Sequence, residues 1–146
     1  MAANTSPIFT GTPDVQWGSA DGNGGTAGPL KTANTAMDGT GTVLTVFTAD
    51  ATNGGFVRFL RARAVGTNGA TVLRVFVNNG STNATIANNT LIDELSLPGT
   101  TASNSNAQPP MEIPLGFALP AGFKINVTLG TGVSGGWQVS VFGGKY

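Results

Sequence analysis

Cysteine and histidine are both missing from this chain, and charged side chains make up only 10% of its 146 residues. Without cysteine there is no disulfide, no thiolate nucleophile and no zinc–sulfur site. Without histidine the usual general base and the imidazole metal ligand are missing as well. We therefore expect a protein that is not an enzyme and that needs no metal or cofactor.

Two stretches of the sequence resemble ligand or catalytic sites without completing one. Asp93 and Glu94 are the only adjacent carboxylates, but neighbouring side chains of a strand point to opposite faces, so they do not form a catalytic pair. The stretch "DGNGG" at 21–25 resembles the start of a calcium loop, yet the twelfth position is Thr32, which offers no bidentate carboxylate. Neither stretch changes the expectation of a non-enzymatic protein.

The scarcity and balance of charge also limit the partners. Seven Lys and Arg face seven Asp and Glu, so the formal net charge is zero and there is no broad basic face for nucleic acid. A protein close to zero net charge has little self-repulsion and tends to associate. No run of about 18 apolar residues is present to span a membrane. The start "MAANTSPIF" lacks the basic and apolar segments of a secretory signal, so we expect synthesis and retention in the cytoplasm.

What the chain does contain is glycine, threonine, asparagine and short apolar blocks. Hydrophobic residues make up 40% of it, which is enough for a core. From residue 42 onward apolar residues recur with a period of two, most clearly in "MEIPLGFAL", "FKINVTL" and "WQVSVFGG". Pro114 lacks a backbone donor, so its strand is expected at a sheet edge or at a bulge. About seven or eight strands without a helix predict an all-β antiparallel β-sandwich, with a jelly roll favoured and an immunoglobulin-like strand order as the alternative.

The first 41 residues have a different composition from the rest. Residues 1–41 hold two short β-like pieces within Gly, Thr, Asn, Ser and Ala, and too few periodic apolar residues to form a core of their own. We divide the chain into an extended N-terminal arm, 1–41, and a sandwich domain, 42–146. The apolar residues Ile8, Phe9 and Trp17 either belong to strands of the same subunit's sheet or anchor the arm on a neighbouring molecule.

All four arginines lie in one stretch, "RFLRARAVGTNGATVLRVFVNNG", residues 58–80. The Asn68-Gly69 pair predicts a tight hairpin between two strands. A β-bulge at Phe59 and Leu60 would turn both of these side chains to the core. Such a bulge would leave Arg58, Arg61 and Arg63 on the outer face, and the hairpin would add Arg74 to it.

This arginine face has two interpretations. It is either a solvated surface paired with Asp93, Glu94 and Glu112 of the same chain, or a contact surface for another subunit. Arginine suits interfacial pairing with carboxylates, and interface centres are enriched in arginine and aromatic residues. We select seven candidate contact residues: Ile8, Phe9, Trp17, Arg58, Arg61, Arg63 and Arg74.

Several strings of the sequence resemble a family of proteins. "VQWG", "RARAVGTNGATVLRVFVNNG", "PLGFALPAGFKINVTLGTG" and "GWQVSVFGGKY" are similar in style to small virion proteins of tailed bacteriophages, and the resemblance covers nearly the whole chain. It implies a capsid decoration (cement) protein that stabilises the shell by bridging subunits of the major capsid protein. It further implies a homo-oligomer, a trimer being favoured, made in the host bacterial cytoplasm and located on the capsid surface of the virion.

Two other functions remain open. A tail or receptor-binding module would recognise a host surface ligand through the loops "NNGSTNATIANN" and "PGTTASNSNAQPP", although these contain no aromatic ring for stacking on a sugar. A structural connector in the tail or neck fits the sequence equally well as capsid decoration does.

Overall fold

The computed structural model describes residues 11–18 and 28–146, and within them the chain forms eight β-strands and one short 3-10 helix. The strands have five to ten residues, which is the usual length for a sandwich. Their bounds are β1 Thr12–Gln16, β2 Leu44–Thr48, β3 Gly55–Ala64, β4 Thr71–Asn78, β5 Asn89–Leu97, β6 Met111–Leu119, β7 Lys124–Leu129 and β8 Trp137–Lys145, and the 3-10 helix spans Ile86–Asn88.

The strands form two four-stranded antiparallel sheets. Sheet A has the order β1-β8-β3-β6, and sheet B has the order β2-β7-β4-β5. The prediction of an all-β antiparallel sandwich is therefore confirmed. The immunoglobulin-like order is not observed, because there the first two strands are neighbours in one sheet, whereas β1 and β2 lie in different sheets.

The core lies between the sheets and follows from the period of two. In β6, β7 and β8 alternate residues face inward, as the sequence predicts, and Ile113, Ile125, Val127, Val139 and Val141 are at most 3% exposed. The edge position predicted from Pro114 is correct, since β6 is the last strand of sheet A and carries a register irregularity beside this residue. Alternation thus gives each of these strands one apolar face, and the apolar faces of the two sheets pack against each other to form the core.

The predicted hairpin at Asn68-Gly69 is wrong. β3 lies in sheet A and β4 in sheet B, so the chain crosses between sheets there instead of turning back. Neither residue has the positive φ that a tight type I′ turn requires. Asn68 is 4% exposed and its side chain joins neighbouring loops, accepting from the Gly136 backbone N–H at 2.7 Å and donating to Thr100 Oγ1 at 3.1 Å. The Asn68-Gly69 pair therefore does not form a turn, because the Asn68 side chain is buried in hydrogen bonds between loops.

Part of the segment assigned to the arm belongs to the sandwich. β1 pairs along its whole length with β8, from Thr12 opposite Lys145 to Gln16 opposite Val141. Further along, Leu30 forms a bridge with Trp137, and Asn34 is buried with its amide donating to the Thr40 and Thr42 carbonyls. For these residues the own-sheet alternative holds, so the first strand of the fold precedes residue 42. Residues 1–10 and 19–27 lie outside the described part.

Candidate functional site

The candidate site is the outer face of sheet A, and a bulge in β3 shapes it. The register of β3 against β8 shifts between Val57 and Phe59: Val57 lies opposite Gly143 and Phe59 opposite Phe142, so Arg58 is the extra residue. Val57 and Leu60 are fully buried, while Phe59 is only partly covered. The predicted bulge exists, but it lies one residue earlier than expected. The prediction that Phe59 faces the core is wrong: Phe59 faces outward with the arginines.

The bulge also depends on a glycine in the neighbouring strand. A Cβ built on Gly143 would overlap the carbonyl oxygen of Phe56. Only glycine lets the backbone of β8 approach β3 so closely at this point. The two strands therefore stay close together at the bulge, and the extra residue, Arg58, protrudes from the outer face.

An apolar row crosses all four strands of the sheet on this outer face. Val15, Phe142, Phe59 and Pro114 lie opposite one another from β1 to β6. Val15 is 43% exposed, and Trp17, two residues further along on the same side by alternation, is 48% exposed. Exposed apolar residues gathered on one face are typical of contact surfaces.

Arg61 is held over the middle of this row. The Phe59 and Phe142 rings are stacked, with centroids 4.5 Å apart, and the Arg61 guanidinium carbon lies 5.4 Å and 5.3 Å from the two ring centroids. The same guanidinium contacts Glu112 Oε1 at 2.6 Å. Both partners are about 40% exposed, so this pair contributes at most about 1 kcal/mol to stability. Its main effect is to fix a planar cation against two rings.

Arg58 and Arg63 are exposed on the same face and take part in no salt bridge within residues 11–18 and 28–146. Arg58 borders an open groove of about 410 Å³, formed with Phe56, Phe59, Phe142 and the β1 residues 13–15. The one carboxylate in this lining, Asp14, already accepts from Gln16 at 2.7 Å and lies 3.6 Å from Lys145. The groove thus combines aromatic walls with a cation that has no carboxylate partner among the described residues and is of a kind that pairs well with carboxylates of other proteins.

Arg74 does not belong to this face, and the prediction that it joins the other arginines is wrong. It lies on β4 in the opposite sheet, where its side chain is 13% exposed and contacts Glu94 Oε1 at 2.9 Å. The carboxylate in this pair is Glu94, opposite Arg74 in the β4–β5 register. Asp93, which the sequence also offered as an arginine partner, accepts only from the Glu94 backbone N–H within the described part of the chain. The interpretation as a surface paired within the chain is confirmed for Arg61 and Arg74, which pair with Glu112 and Glu94. Arg58 and Arg63 have no such pair within residues 11–18 and 28–146, and for them the contact with another subunit stays a prediction.

Of the remaining candidates, Trp17 is placed beside the apolar row, and Ile8 and Phe9 lie outside the described residues. The structure adds Phe56 and Phe142 to the site. Phe142 could have been found from the sequence, because it continues the outward parity of Gln138 and Ser140 in β8. Phe56 could likewise be placed on the outer face, because it lies two residues before Arg58. The sequence does not show that the Phe56 and Phe142 rings line one groove, because that depends on which strands are neighbours.

The described part of the chain shows neither a metal site nor a membrane-spanning helix. Among the described residues no three acidic side chains gather as a metal site would require. Within those same ranges no helix has the length and hydropathy needed to cross a bilayer. No protein-family model, curated protein or solved structure matches the chain.

Proposed function

We propose that this chain is a non-enzymatic structural protein of a bacteriophage virion that decorates the capsid and stabilises it by bridging subunits of the major capsid protein. The observation that carries the proposal is the outer face of sheet A. This face presents an apolar row and two arginines without a salt bridge in the described residues. A surface of that composition is suited to burial against another protein. The resemblance of several sequence strings to tailed-phage virion proteins is the reason for proposing a phage capsid as the partner assembly.

A jelly roll is the fold we propose for the sandwich. The pairs β1-β8 and β3-β6 lie in sheet A, and β2-β7 and β4-β5 lie in sheet B. This order arises when a long antiparallel pair of strands is wound around a barrel axis, so that its successive rungs alternate between two sheets. Jelly rolls occur in viral capsid proteins and in lectins, so the fold is compatible with the proposal without deciding it.

The mechanism of stabilisation would be mass action. A protein that binds the assembled shell, and not its separated subunits, shifts the equilibrium toward the shell. A homo-oligomer, with a trimer favoured, would engage several shell sites at once, and the second and third contacts would then form at high effective concentration. Neither catalysis nor a cofactor is required for this role.

The first test is the copy number of the protein in purified virions. A decoration protein is expected in hundreds of copies, comparable to the capsid lattice, and quantitative mass spectrometry against the major capsid protein measures this ratio. A handful or a dozen copies would place it in the tail or neck and overturn the proposal.

The second test uses shells that lack the protein. Added wild-type protein is expected to bind them and to raise the temperature at which they dissociate. Deletion of residues 1–10 removes Ile8 and Phe9 but spares β1, which begins at Thr12. If these two residues contact the shell, this variant binds more weakly while its own unfolding curve is unchanged. Unaltered decoration by the variant would remove them from the contact set.

A further inference from the structure

We infer that the outer face of sheet A is the docking site for a second copy of this chain, and that the segment seated on it is the edge strand β5, with Asp93 pairing with Arg58. This inference rests on the homo-oligomer within the proposed function, and it names the two surfaces that meet. It assigns the outer face of sheet A to the contact between copies, so this face supports decoration by building the oligomer that binds the shell, and not by touching the shell itself.

The β5 edge carries the second exposed apolar patch in the described part of the chain that lies on a strand. β5 is the last strand of sheet B, and its register against β4 is irregular: Val75 lies opposite Asp93 and Phe76 opposite Leu91, which makes Ile92 the extra residue. This bulge leaves Leu91 38% and Ile92 37% exposed, side by side.

Charge selects β5 as the partner of the arginine face. Within residues 11–18 and 28–146 three carboxylates take no part in a salt bridge, namely Asp38, Asp50 and Asp93. Asp38 and Asp50 each accept two hydrogen bonds from turn residues that follow them, which commits them locally. Asp93 accepts one, from the next residue, and it follows two exposed aliphatic residues on a strand, whereas Asp38 follows the exposed Met37 in a loop.

The two surfaces are therefore complementary. One offers stacked aromatic rings and Arg58, and the other offers two exposed aliphatic side chains followed in sequence by Asp93. Within the described ranges neither Arg58 nor Asp93 takes part in a salt bridge. Joining them buries apolar area on both sides and gives each charge a partner. Arginine and aromatic side chains at the centre of a contact are what protein interfaces favour.

The positions of the two surfaces also define the type of contact. β1 packs beside β2 at one edge of the sandwich, and β5 lies at the far edge of sheet B. Because different patches of the two copies meet, the contact is heterologous, and a repeated heterologous contact closes into a ring when the rotation between copies permits. A trimer is the smallest such ring.

The experiment is charge exchange in the full-length protein, with the oligomer measured by sedimentation velocity and native mass spectrometry. Arg58→Glu and Asp93→Arg are each expected to raise the dissociation constant of the oligomer by at least about tenfold. The double variant R58E/D93R, which restores opposite charges at every contact of a ring, is expected to return it toward the wild-type value. Lys31→Glu, an exposed charge reversal away from both surfaces, is the matched control and leaves the oligomer unchanged.

Unfolding curves of each variant, measured in parallel, distinguish lost association from lost folding. The inference is overturned if wild type is monomeric at every concentration measured, if either single variant associates as wild type does, or if the double variant fails to recover. A monomeric wild-type protein that still decorates shells would assign the face to a capsid protein and retain the proposed function. An intact, charge-dependent oligomer that binds no shell would retain this contact and reject capsid decoration.

Discussion

Single residues decide the shape of the candidate surface, and Gly143 is the one on which the most depends. Its lack of a side chain lets β8 lie close to β3, where Arg58 is the extra residue of the bulge. Because of the bulge, the side chains after Arg58 point to the opposite sides of the sheet from those that strict alternation would give. Phe59 therefore joins the outer row, and Leu60 joins the core. One glycine and one inserted residue thereby place an aromatic ring beside two arginines.

The substitution Gly143→Ala tests this role. The added methyl group would overlap the Phe56 carbonyl, so the strands must separate, and we expect a loss of about 1–3 kcal/mol in the free energy of unfolding. Gly69→Ala is the matched control, because a Cβ there meets nothing within 4 Å and φ is not positive. At such a position alanine is expected to be neutral or to stabilise by about 0.4–1 kcal/mol. Urea unfolding of both variants measures the difference, and equal effects would show that the close approach is not needed.

At the scale of elements, the turns between strands are held by aspartates and asparagines rather than by salt bridges. Asp50 begins the turn between β2 and β3, and its carboxylate accepts from the Thr52 and Asn53 backbone N–H groups at 2.9 and 2.8 Å. These bonds, that of Asn53 first, lower the pKa of Asp50 below its ordinary value of 3.8. The Thr40 hydroxyl and backbone N–H lower the pKa of Asp38 in the same way.

The lowered pKa values predict how stability depends on pH. A carboxylate with a depressed pKa in the folded state contributes stability that is fully present above the unfolded value, here 3.8, and is lost as the pH falls through the folded value. We therefore expect that these two groups leave the urea midpoint unchanged from neutral pH down to about pH 5. The midpoint should then decrease once the pH is lowered below about 4. Asp50→Asn keeps an acceptor oxygen but cannot titrate, so its midpoint should fall less steeply. An identical slope in wild type and variant would contradict the assignment.

For the whole molecule, the two sheets are joined by chain crossings that meet at one end of the sandwich. The β3–β4, β5–β6 and β7–β8 connections all pass from one sheet to the other, and Asn68 joins them through its bonds to Thr100 and Gly136. The backbone adds a bridge between Asn68 and Thr100. A single buried amide thus links three connections that are far apart in sequence.

Removal of that amide should affect the whole fold. Asn68→Ala leaves the buried Gly136 N–H without its acceptor, and we expect a loss of about 1–3 kcal/mol in the free energy of unfolding. The control Asn79→Ala removes an exposed asparagine and is expected to change stability by less than about 0.5 kcal/mol. Denaturant unfolding with two probes, tryptophan fluorescence and circular dichroism, should show one shifted transition. If Asn68→Ala is no more damaging than the control, the link is unimportant.

The sequence by itself determined the strands after residue 42, the inward faces of those that alternate strictly, and the all-β sandwich, because alternation is a local property that such strands express in their own residues. It also indicated that the arginines of β3 lie on an outer face. It did not determine the facing of Phe59, because the bulge at Arg58 breaks the alternation of β3. Only the tertiary structure decided that β3 and β4 belong to different sheets, that Arg74 is separated from the other arginines, and that Val15, Phe142 and Phe59 form one row. Those facts depend on which strands are neighbours. Contacts between residues distant in sequence determine the neighbours, and the local periodicity of a strand contains no information about such contacts.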